Sequence, residues 1–504
     1  MAETSRRQRR TECTLFALLF LTFAYFYQGS GHNEAARFDT IRAFLEHGTM
    51  SVDEYAGNSA DLVKIDGSFF SSKAPGTFLL GAPVFWTAAR VASYLPLSDG
   101  LRLHLICDVT TILTISLLGA LLGLSIFRFA VRIGSSARVA AAVALALVLG
   151  TNIFPFATLF MSHVATAGFL FFAFATLYEV KITVAPATAR TEALRLLTAG
   201  FALGFAVGLE YPAVIGAAIL VVYGACVLFH RRARAASWAA PAVGLLLGLA
   251  PMAWHNWVAF HDVLYVPYEA YLTDANRFFQ AHQKGLLGVR LALFDPEFRP
   301  IFFSNLLNVT FAPVRGLFYN CPVLLLVFPG YWALASKAFA GLRAEAGVAG
   351  MMLVGYLSMN ASFGDSIAYW GGGASFGPRH VIPALPFLVV PLVAGLSVPW
   401  VRWSGAVLAP LSIFICLMAT SVEPRAPYSP SNPIIDYYAP RFFSGRLAEN
   451  KNGVFSSELV TSDSVSFNLG KLAHLPGSWQ LFPLYVVWAL GGVALFRRPR
   501  QSPP

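Results

Sequence analysis

The sequence has little charge. Only 12% of its 504 residues are Asp, Glu, Lys or Arg, whereas soluble domains carry roughly 25%. This shortage excludes a disordered chain, a coiled coil and an ordinary soluble enzyme. The net charge is nevertheless +10, a balance that also occurs in nucleic-acid-binding proteins. We expect no nucleic-acid partner, because the basic residues lie in short clusters between apolar runs.

Cysteine is scarce as well, and the five cysteines show no pattern typical of disulfides or metal ligands. Each lies in or beside an apolar run, so we expect buried, free thiols. The sequence has no P-loop, no HExxH motif and no His/Cys metal cluster, although paired carboxylates leave a divalent cation open as a cofactor. The cysteines are Cys13, Cys107, Cys226, Cys321 and Cys416.

Apolar sequence is abundant, since 56% of the residues are hydrophobic. A helix needs about 20 apolar residues to cross a bilayer, and the runs predict an all-α polytopic protein of the inner (plasma) membrane. The first run could be a signal peptide, but no small-residue cleavage site follows it, which favours a first span. The runs lie at 13–28, 75–95, 103–127, 139–155, 160–180, 196–209, 212–229, 236–258, 316–336, 345–361, 380–399, 404–422 and 481–496.

The positive charges between these runs predict the topology. If every run crosses the membrane, the five internal basic clusters all face outward. If 75–95 does not cross, all five face inward together with both termini, as the positive-inside rule requires. We therefore predict about twelve spans, cytoplasmic termini and a membrane-parallel helix at 75–95. The clusters comprise Arg128, Arg132, Arg138; Lys181, Arg190, Arg195; Arg231, Arg232, Arg234; Lys337, Arg343; and Arg402.

The domain boundaries follow from this topology. We predict a basic cytoplasmic N-terminus (1–12), a transmembrane module (13–422), a small external segment (423–480), and a last span with a basic cytoplasmic tail (481–504). The module has external loops at 29–102, 259–315 and 362–379.

The first external loop concentrates charge beside the membrane. Its start predicts a short amphipathic interfacial helix, because Phe38, Ile41 and Phe44 recur at helical spacing and Gly48 can end the helix. Each charged residue has an ordinary explanation as a cap, an ion pair or a turn. Together, however, so many charges in an apolar chain favour a functional loop.

Several segments resemble the GT-C membrane glycosyltransferases, such as aminoarabinose transferases and protein O-mannosyltransferases. The stretch DGSFFSSKAPGTFLLGAPVFW (66–86) is similar to the family's G..Y..K.P....L..P segment, with Phe70 in place of Tyr. GFALGFAVGLEYPA (200–213) resembles a glycine-rich helix that breaks at a polar-Pro pair. RGLFYNCPVLLL (315–326) and YWGGGASFGPRHVIPALPFL (369–388) look like motifs of a bacterial branch. The resemblance covers residues 10–400.

The resemblance implies an inverting transferase on the external (periplasmic) face. Its donor would be a sugar linked to polyprenyl phosphate, and its acceptor a lipid, a glycan or a protein. A carboxylate base would take the acceptor's proton. The family often has Asp-Glu after the first span where this chain has Asn33-Glu34, so Glu34 and Asp39 both stay candidates. Cations would hold the departing phosphate, and the candidates are Arg379, Arg315 and Lys73.

Other polar residues are predicted to line the substrate cavity. Glu210-Tyr211-Pro212 interrupts an apolar run, and Pro212 ends a helix there. In a membrane such a break persists only where protein or a water-filled cavity covers it. The predicted lining residues are Arg37, Asp61, Lys64, His163, Glu210, Tyr211, Asp365, Trp370 and His380.

The alternative function is a multi-span transporter or flippase of a lipid-linked or anionic substrate. A transporter requires polar groups near the bilayer midplane, whereas the charged candidates in this sequence lie at the outer ends of the spans. A third reading is an inactive scaffold that binds a polyprenyl lipid.

Overall fold

Helices make up most of the molecule. The computed structural model describes residues 2–183, 188–267, 291–364 and 366–497. Apolar runs form helices because the backbone in lipid must satisfy its hydrogen bonds within one segment. In chain order the main helices are α1 (Ala2–Phe23), α2 (His32–Arg42), α3 (Gly76–Ala92), α4 (Asp99–Arg132), α5 (Ala137–Leu149), α6 (His163–Ile182), α7 (Ala189–Leu209), α8 (Ala213–His230), α9 (Ala235–Phe260), α10 (Arg299–Phe311), α11 (Pro322–Leu334), α12 (Lys337–Ala361), α13 (Arg379–Gly395), α14 (Pro399–Val422) and α15 (Gly477–Phe496).

Within the described ranges, eight helices are long and apolar enough to cross a membrane, and the chain is a membrane protein. These are α4, α6, α7, α8, α9, α12, α14 and α15. Three shorter apolar helices, α5, α11 and α13, accompany them. The 75–95 run forms the 17-residue α3, which is not among the eight. The count of twelve spans and the membrane-parallel position of α3 stay predictions.

Close packing of α7 on α9 explains the glycine-rich sequence of α7. A Cβ atom on Gly204 would lie 2.2 Å from the carbonyl oxygen of Leu245, and one on Gly248 would lie 2.2 Å from that of Phe201. Lipid supplies no hydrophobic force between helices, so small residues that let backbones approach closely stabilise the pair. Packing α7 in this way fixes the position of Glu210, which follows it directly.

The two ends of the helix bundle carry different polar groups. At one end, the final turns of α4 and α6 meet in an ion pair between Arg132 and Glu179. At the same end, Lys181 binds Glu345 of α12 at 2.7 Å. The opposite end contains the C-termini of α1, α7, α12 and α14 and the N-termini of α6, α8 and α13. The predicted basic clusters and the predicted site therefore lie at opposite ends of the bundle.

The helix that follows α1 differs from the predicted amphipathic surface helix. α2 continues through a π-helical turn (Ala43–His47) and ends at Gly48, whose φ is +69°. Every residue from Asn33 to Ile41 is buried. The polar residues of α2 contact other protein segments: Glu34 contacts Arg425, Asp39 contacts Asn58, and Arg37 contacts Ser162.

Small sheets position the segments around α2. β2 (Leu62–Ile65) and β3 (Ser68–Ser71) form an antiparallel hairpin, and its turn places Asp66 and Gly67 at positive φ, as short hairpin turns require. β1 (Phe26–Tyr27), just after α1, pairs with β4 (Phe467–Asn468). The segment 423–480 is thereby held against the end of α1. Shorter helical turns are Asp53–Asn58, Ile153–Phe156, Ala292–Phe294, Leu317–Asn320, Ile367–Trp370, Ile434–Tyr438, Ala439–Phe443 and Leu469–Leu472.

The cysteines confirm one part of their prediction and correct the other. All five cysteines are free, as expected, but Cys13 and Cys226 are exposed rather than buried. Both lie on faces of α1 and α8 that no other described segment covers, where an apolar side chain can face lipid.

Candidate functional site

A cavity of about 930 Å³ lies at the end of the bundle opposite the basic clusters. It collects residues from the start of α2, the loop before α3, the start of α13 and the segment after α14. Five of the predicted site residues line it, namely Glu34, Asp61, Lys73, Arg379 and His380. Residues that are distant in sequence therefore surround one space large enough for a substrate.

One side of the cavity is cationic. Lys73 Nζ lies 3.1 Å from Asp61 Oδ1, and both side chains are largely buried. Burial alone would raise the pKa of Asp61, but Lys73 and Arg379 bring it below its usual value. The pKa of Lys73 is lowered by burial, and the positive charges of Arg37 and Arg379 add to that effect. We call Asp61, Lys73 and Arg379 the cationic wall. The positive electrostatic potential that disfavours the charge on Lys73 favours the binding of an anion at the same place.

A glycine loop shapes the approach to Arg379. Gly372 and Gly373 both have positive φ, +75° and +74°, and both line the cavity. A Cβ atom on Gly372 would lie 3.2 Å from Arg379 Cγ, so only glycine lets this backbone pass so close. Arg379 Nε is buried and has no hydrogen-bond partner among the described residues. Its guanidinium therefore retains a donor that the described residues leave unused.

Arg315 supports this loop rather than facing the cavity. It is fully buried and donates to the carbonyl oxygens of Gly373 at 3.4 Å and Ala426 at 3.3 Å. Burial lowers the pKa of Arg315. Arg315 is a predicted phosphate-binding residue, but the structure does not bring it to the cavity surface.

Another part of the cavity lining carries carboxylates. Arg425 Nη1 donates to Glu34 Oε1 at 2.8 Å, and Arg425 Nε donates to Glu423 Oε1 at 2.7 Å. Burial would lower the pKa of Arg425, but Glu423 and Glu34 raise it above its usual value. We call Glu34, Glu423 and Arg425 the carboxylate wall. Glu34 Oε2 is buried without a hydrogen-bond partner among the residues that the structure describes.

Asp39 lies further along α2 and does not line the cavity. Its side chain is 1% exposed and lies 3.4 Å from Arg42 Nη1. Asn58 Nδ2 donates to its Oδ1 at 3.3 Å. Burial raises the pKa of Asp39 to about 7, although Asn58 and Arg42 oppose the shift. Of the two predicted bases, the structure brings Glu34 to the cavity and leaves Asp39 in the packing behind it.

Three side chains meet at the edge of the cavity, where His380 lines it and His163 and Glu210 lie behind. His163 begins α6, Glu210 follows α7, and His380 is the second residue of α13. Glu210 Oε1 lies 2.8 Å from His163 Nδ1 and 3.6 Å from His380 Nδ1. Burial would raise the pKa of Glu210, but the two histidines hold it well below its usual value. We call these residues the buried triad. The helix break predicted at Glu210 is confirmed, since α7 ends at Leu209 and α8 begins at Ala213.

The remaining predicted residues lie around the cavity or away from it. Arg37 is buried behind the cavity and donates to Ser162 Oγ at 3.2 Å. Tyr211 packs in a small apolar cluster with Ala74. Trp370 is buried, and its carbonyl oxygen accepts from Asn360. Lys64 is exposed on β2, and Asp365 lies outside the described residues.

Residues after α14 also form part of the site, although no sequence pattern predicted them. Glu423, Arg425, Tyr428, Tyr437, Arg441 and Glu449 all line the cavity. One signal was available, because the pair Glu423 and Arg425 directly follows the apolar run 404–422, and Glu34 lies a few residues after the run 13–28. The contact that gives Arg425 its role joins residues 391 positions apart, and no local pattern indicates it.

The fold is similar to that of known enzymes. The crystal structure of ArnT, an aminoarabinose transferase, from Cupriavidus metallidurans bound to undecaprenyl phosphate matches with a TM-score of 0.50 and 15% identity. The match covers 96% of this chain and 75% of that one. The chain has an ArnT-like fold. The predicted resemblance to GT-C glycosyltransferases is thereby confirmed at the level of the fold.

Two further solved structures are similar. Apo ArnT from the same organism has a TM-score of 0.46 and 16% identity, over 98% of this chain and 76% of that one. An apo oligosaccharyltransferase from Archaeoglobus fulgidus has a TM-score of 0.46 and 13% identity, over 92% and 60% of the two chains. No family model and no curated protein sequence matches the chain.

Proposed function

We propose that the protein is an integral membrane glycosyltransferase that uses a sugar linked to polyprenyl phosphate. The observation that carries this proposal is one cavity, lined by both the cationic wall and the carboxylate wall, at one end of an ArnT-like bundle. The ArnT crystal structure contains undecaprenyl phosphate, a lipid anion that suits such a cationic wall. The acceptor would be a lipid, glycan or protein hydroxyl.

The cationic wall would hold the phosphate of the donor. Lys73 supplies a compact positive charge, and Arg379 supplies a planar guanidinium with an open donor. When the bond between the sugar's anomeric carbon and the phosphate oxygen breaks, negative charge develops on that oxygen. Two nearby cations stabilise this charge more in the transition state than in the ground state, which accelerates transfer.

Glu34 is the base that we favour. Arg425 holds Glu34 Oε1, whereas Oε2 is buried and has no hydrogen-bond partner among the described residues. Oε2 would accept the proton from an acceptor hydroxyl that binds beside it. The hydroxyl oxygen then forms the new bond to the anomeric carbon, on the face opposite the leaving phosphate. A base must lie within hydrogen-bond reach of the proton it takes, and this requirement favours Glu34, which lines the cavity, over Asp39, which does not.

The reaction would take place on the external (periplasmic) face of the inner membrane. The cavity lies at the end of the bundle opposite the basic clusters, which the positive-inside rule assigns to the cytoplasm. A cavity at one end, rather than near the middle of the spans, favours a transferase over the transporter alternative.

The topology has its own test. Because Arg132 belongs to a basic cluster that should face the cytoplasm, a reporter fused near Arg132 should be cytoplasmic.

The test is consumption of a polyprenyl-phosphate-linked sugar by purified protein. We expect Glu34→Gln and Arg379→Ala each to reduce transfer at least about 100-fold, since removing one transition-state contact costs that much. Asp39→Asn is the matched control on the same helix and should retain transfer. Full activity in both site variants, or loss of activity only in Asp39→Asn, would refute the assignment.

A further inference from the structure

The buried triad brings two imidazoles and one carboxylate to a single point. One nitrogen of each histidine and one carboxylate oxygen of Glu210 all lie within 4.8 Å of one another. The side chains of His163 and Glu210 are 4% and 8% exposed. The nitrogens that face Glu210, His163 Nδ1 and His380 Nδ1, are buried and make no hydrogen bond of good geometry in the described parts of the chain. Buried polar atoms without partners are costly, so they need an explanation.

The backbone holds the three ligand atoms in place. Glu210 is extended between α7 and α8, with φ −155° and ψ 117°, and Pro212 fixes the start of α8. The ring of Phe363 stacks on that of His380 at 4.7 Å between centroids. His163 and His380 lie at right angles, 5.2 Å apart. Three separate helix ends therefore fix the three side chains, as a preformed ligand site requires.

The distances suit a small divalent metal ion. Ligands about 2.0–2.1 Å from a tetrahedral Zn²⁺ lie about 3.3 Å from one another. The two distances from Glu210 Oε1, 2.8 Å and 3.6 Å, lie on either side of that value. Imidazole suits zinc and other transition metals, whereas Mg²⁺ and Ca²⁺ prefer oxygen ligands. Two histidines and one carboxylate also leave one coordination position open.

We propose that His163, Glu210 and His380 form a binding site for a divalent transition-metal ion, for which Zn²⁺ is the best match. The ion enters from the cavity, because His380 lines the cavity while the other two ligands lie behind it. Bound there, it ties α6, α13 and the α7–α8 break together. This proposal does not rest on the proposed transferase reaction, because it is tested by measuring the metal content of the protein and not its activity.

The test uses the full-length protein with a tag that does not bind metal. We expect purified protein to contain about one zinc per chain by elemental mass spectrometry, and chelator-treated protein to rebind Zn²⁺ with the same stoichiometry. Glu210→Gln and His380→Gln should each weaken Zn²⁺ binding at least about 100-fold, since even second-shell changes cost 10- to 100-fold. Size exclusion of each variant establishes that it is folded.

His255→Gln is the matched control. His255 is buried in α9, beside Asn256, and has no second histidine or carboxylate as a partner in the described ranges. This variant should bind zinc like the unmodified chain. Co²⁺ added to metal-free protein should give visible absorption bands that Glu210→Gln lacks. Failure of the unmodified protein to bind Zn²⁺ or Co²⁺ overturns the proposal, as does unchanged binding in folded Glu210→Gln.

Discussion

The two ends of the helix bundle use buried charge in different ways. At the basic end, Glu345 is fully buried and accepts from Lys181 at 2.7 Å and from Tyr223 at 2.6 Å. At the cavity end, Glu34 is just as buried, but one of its carboxylate oxygens has no partner among the described residues. At the basic end, the hydrogen-bonded carboxylate of Glu345 holds helices together. At the cavity end, the carboxylate oxygen of Glu34 that lacks a partner can bind a ligand.

The largest expected effect concerns the stability of the basic end. Glu345→Ala leaves Lys181 and Tyr223 without their shared partner, and breaking a buried pair costs about 3–5 kcal/mol. We expect the free energy of unfolding to fall by about 3 kcal/mol, at the low end of this range. The reason is that Lys181 is 32% exposed and retains some solvation. Thermal unfolding in detergent measures the loss.

Arg128→Ala is the control for this comparison. Its partner is Glu12 at 2.6 Å, and the guanidinium side chain is 53% exposed, so solvent screens the pair and the loss should be about 0.5 kcal/mol or less.

A second measurement tests whether the two ends act separately. Under the proposed function, undecaprenyl phosphate binding by folded Glu345→Ala should be unchanged. Weakened lipid binding in that variant would mean that the two ends do not have separate roles.

An effect of similar size is the pH dependence of stability at the cavity end. The pKa of Asp39 is raised from 3.8 to about 7 in the folded chain. Between these two values the folded state binds more protons than the unfolded state, so stability falls as pH rises from about 4 to 7. Asp39→Asn removes this dependence, and its unfolding temperature should exceed that of the unmodified protein at pH 8.

The matched control for this effect is Asp99→Asn, whose carboxylate is 99% exposed. This variant should keep the downward slope of unfolding temperature with pH. An equally steep slope in Asp39→Asn would show that other groups cause it.

The smallest effect distinguishes the two predicted lysines of the first loop. Lys64 is exposed, with its ammonium 5.4 Å from the ring centroid of Phe69, whereas Lys73 lines the cavity. Lys64→Ala should change undecaprenyl phosphate affinity by less than about twofold, as expected for a solvated charge. Lys73→Ala should weaken it at least about tenfold, measured by native mass spectrometry. Equal losses in both variants would contradict the position of the cationic wall.

Much of the helical architecture is predictable from the sequence, because apolar runs and their basic flanks are local patterns. The break at Glu210 and the helix end at Gly48 are also local, since Pro212 and Gly48 suffice to predict them, and Gly48 indeed has a positive φ. The charged loop after the first span likewise marks the region of the candidate site. Residues such as Arg315 were harder to assign, because a basic residue before a helix looks the same whether it faces a cavity or supports a loop.

The sequence by itself determined a multi-span helical membrane protein with scarce charge, because hydrophobicity and positive flanks act locally along the chain. Tertiary structure decided which of the scarce charges work together. Arg425 reaches Glu34 across 391 residues, and the buried triad joins three separate helix ends. Such contacts depend on how helices pack, and burial gives each contact its strength. Only the packed chain therefore separates a carboxylate that faces the cavity, such as Glu34, from one enclosed behind it, such as Asp39.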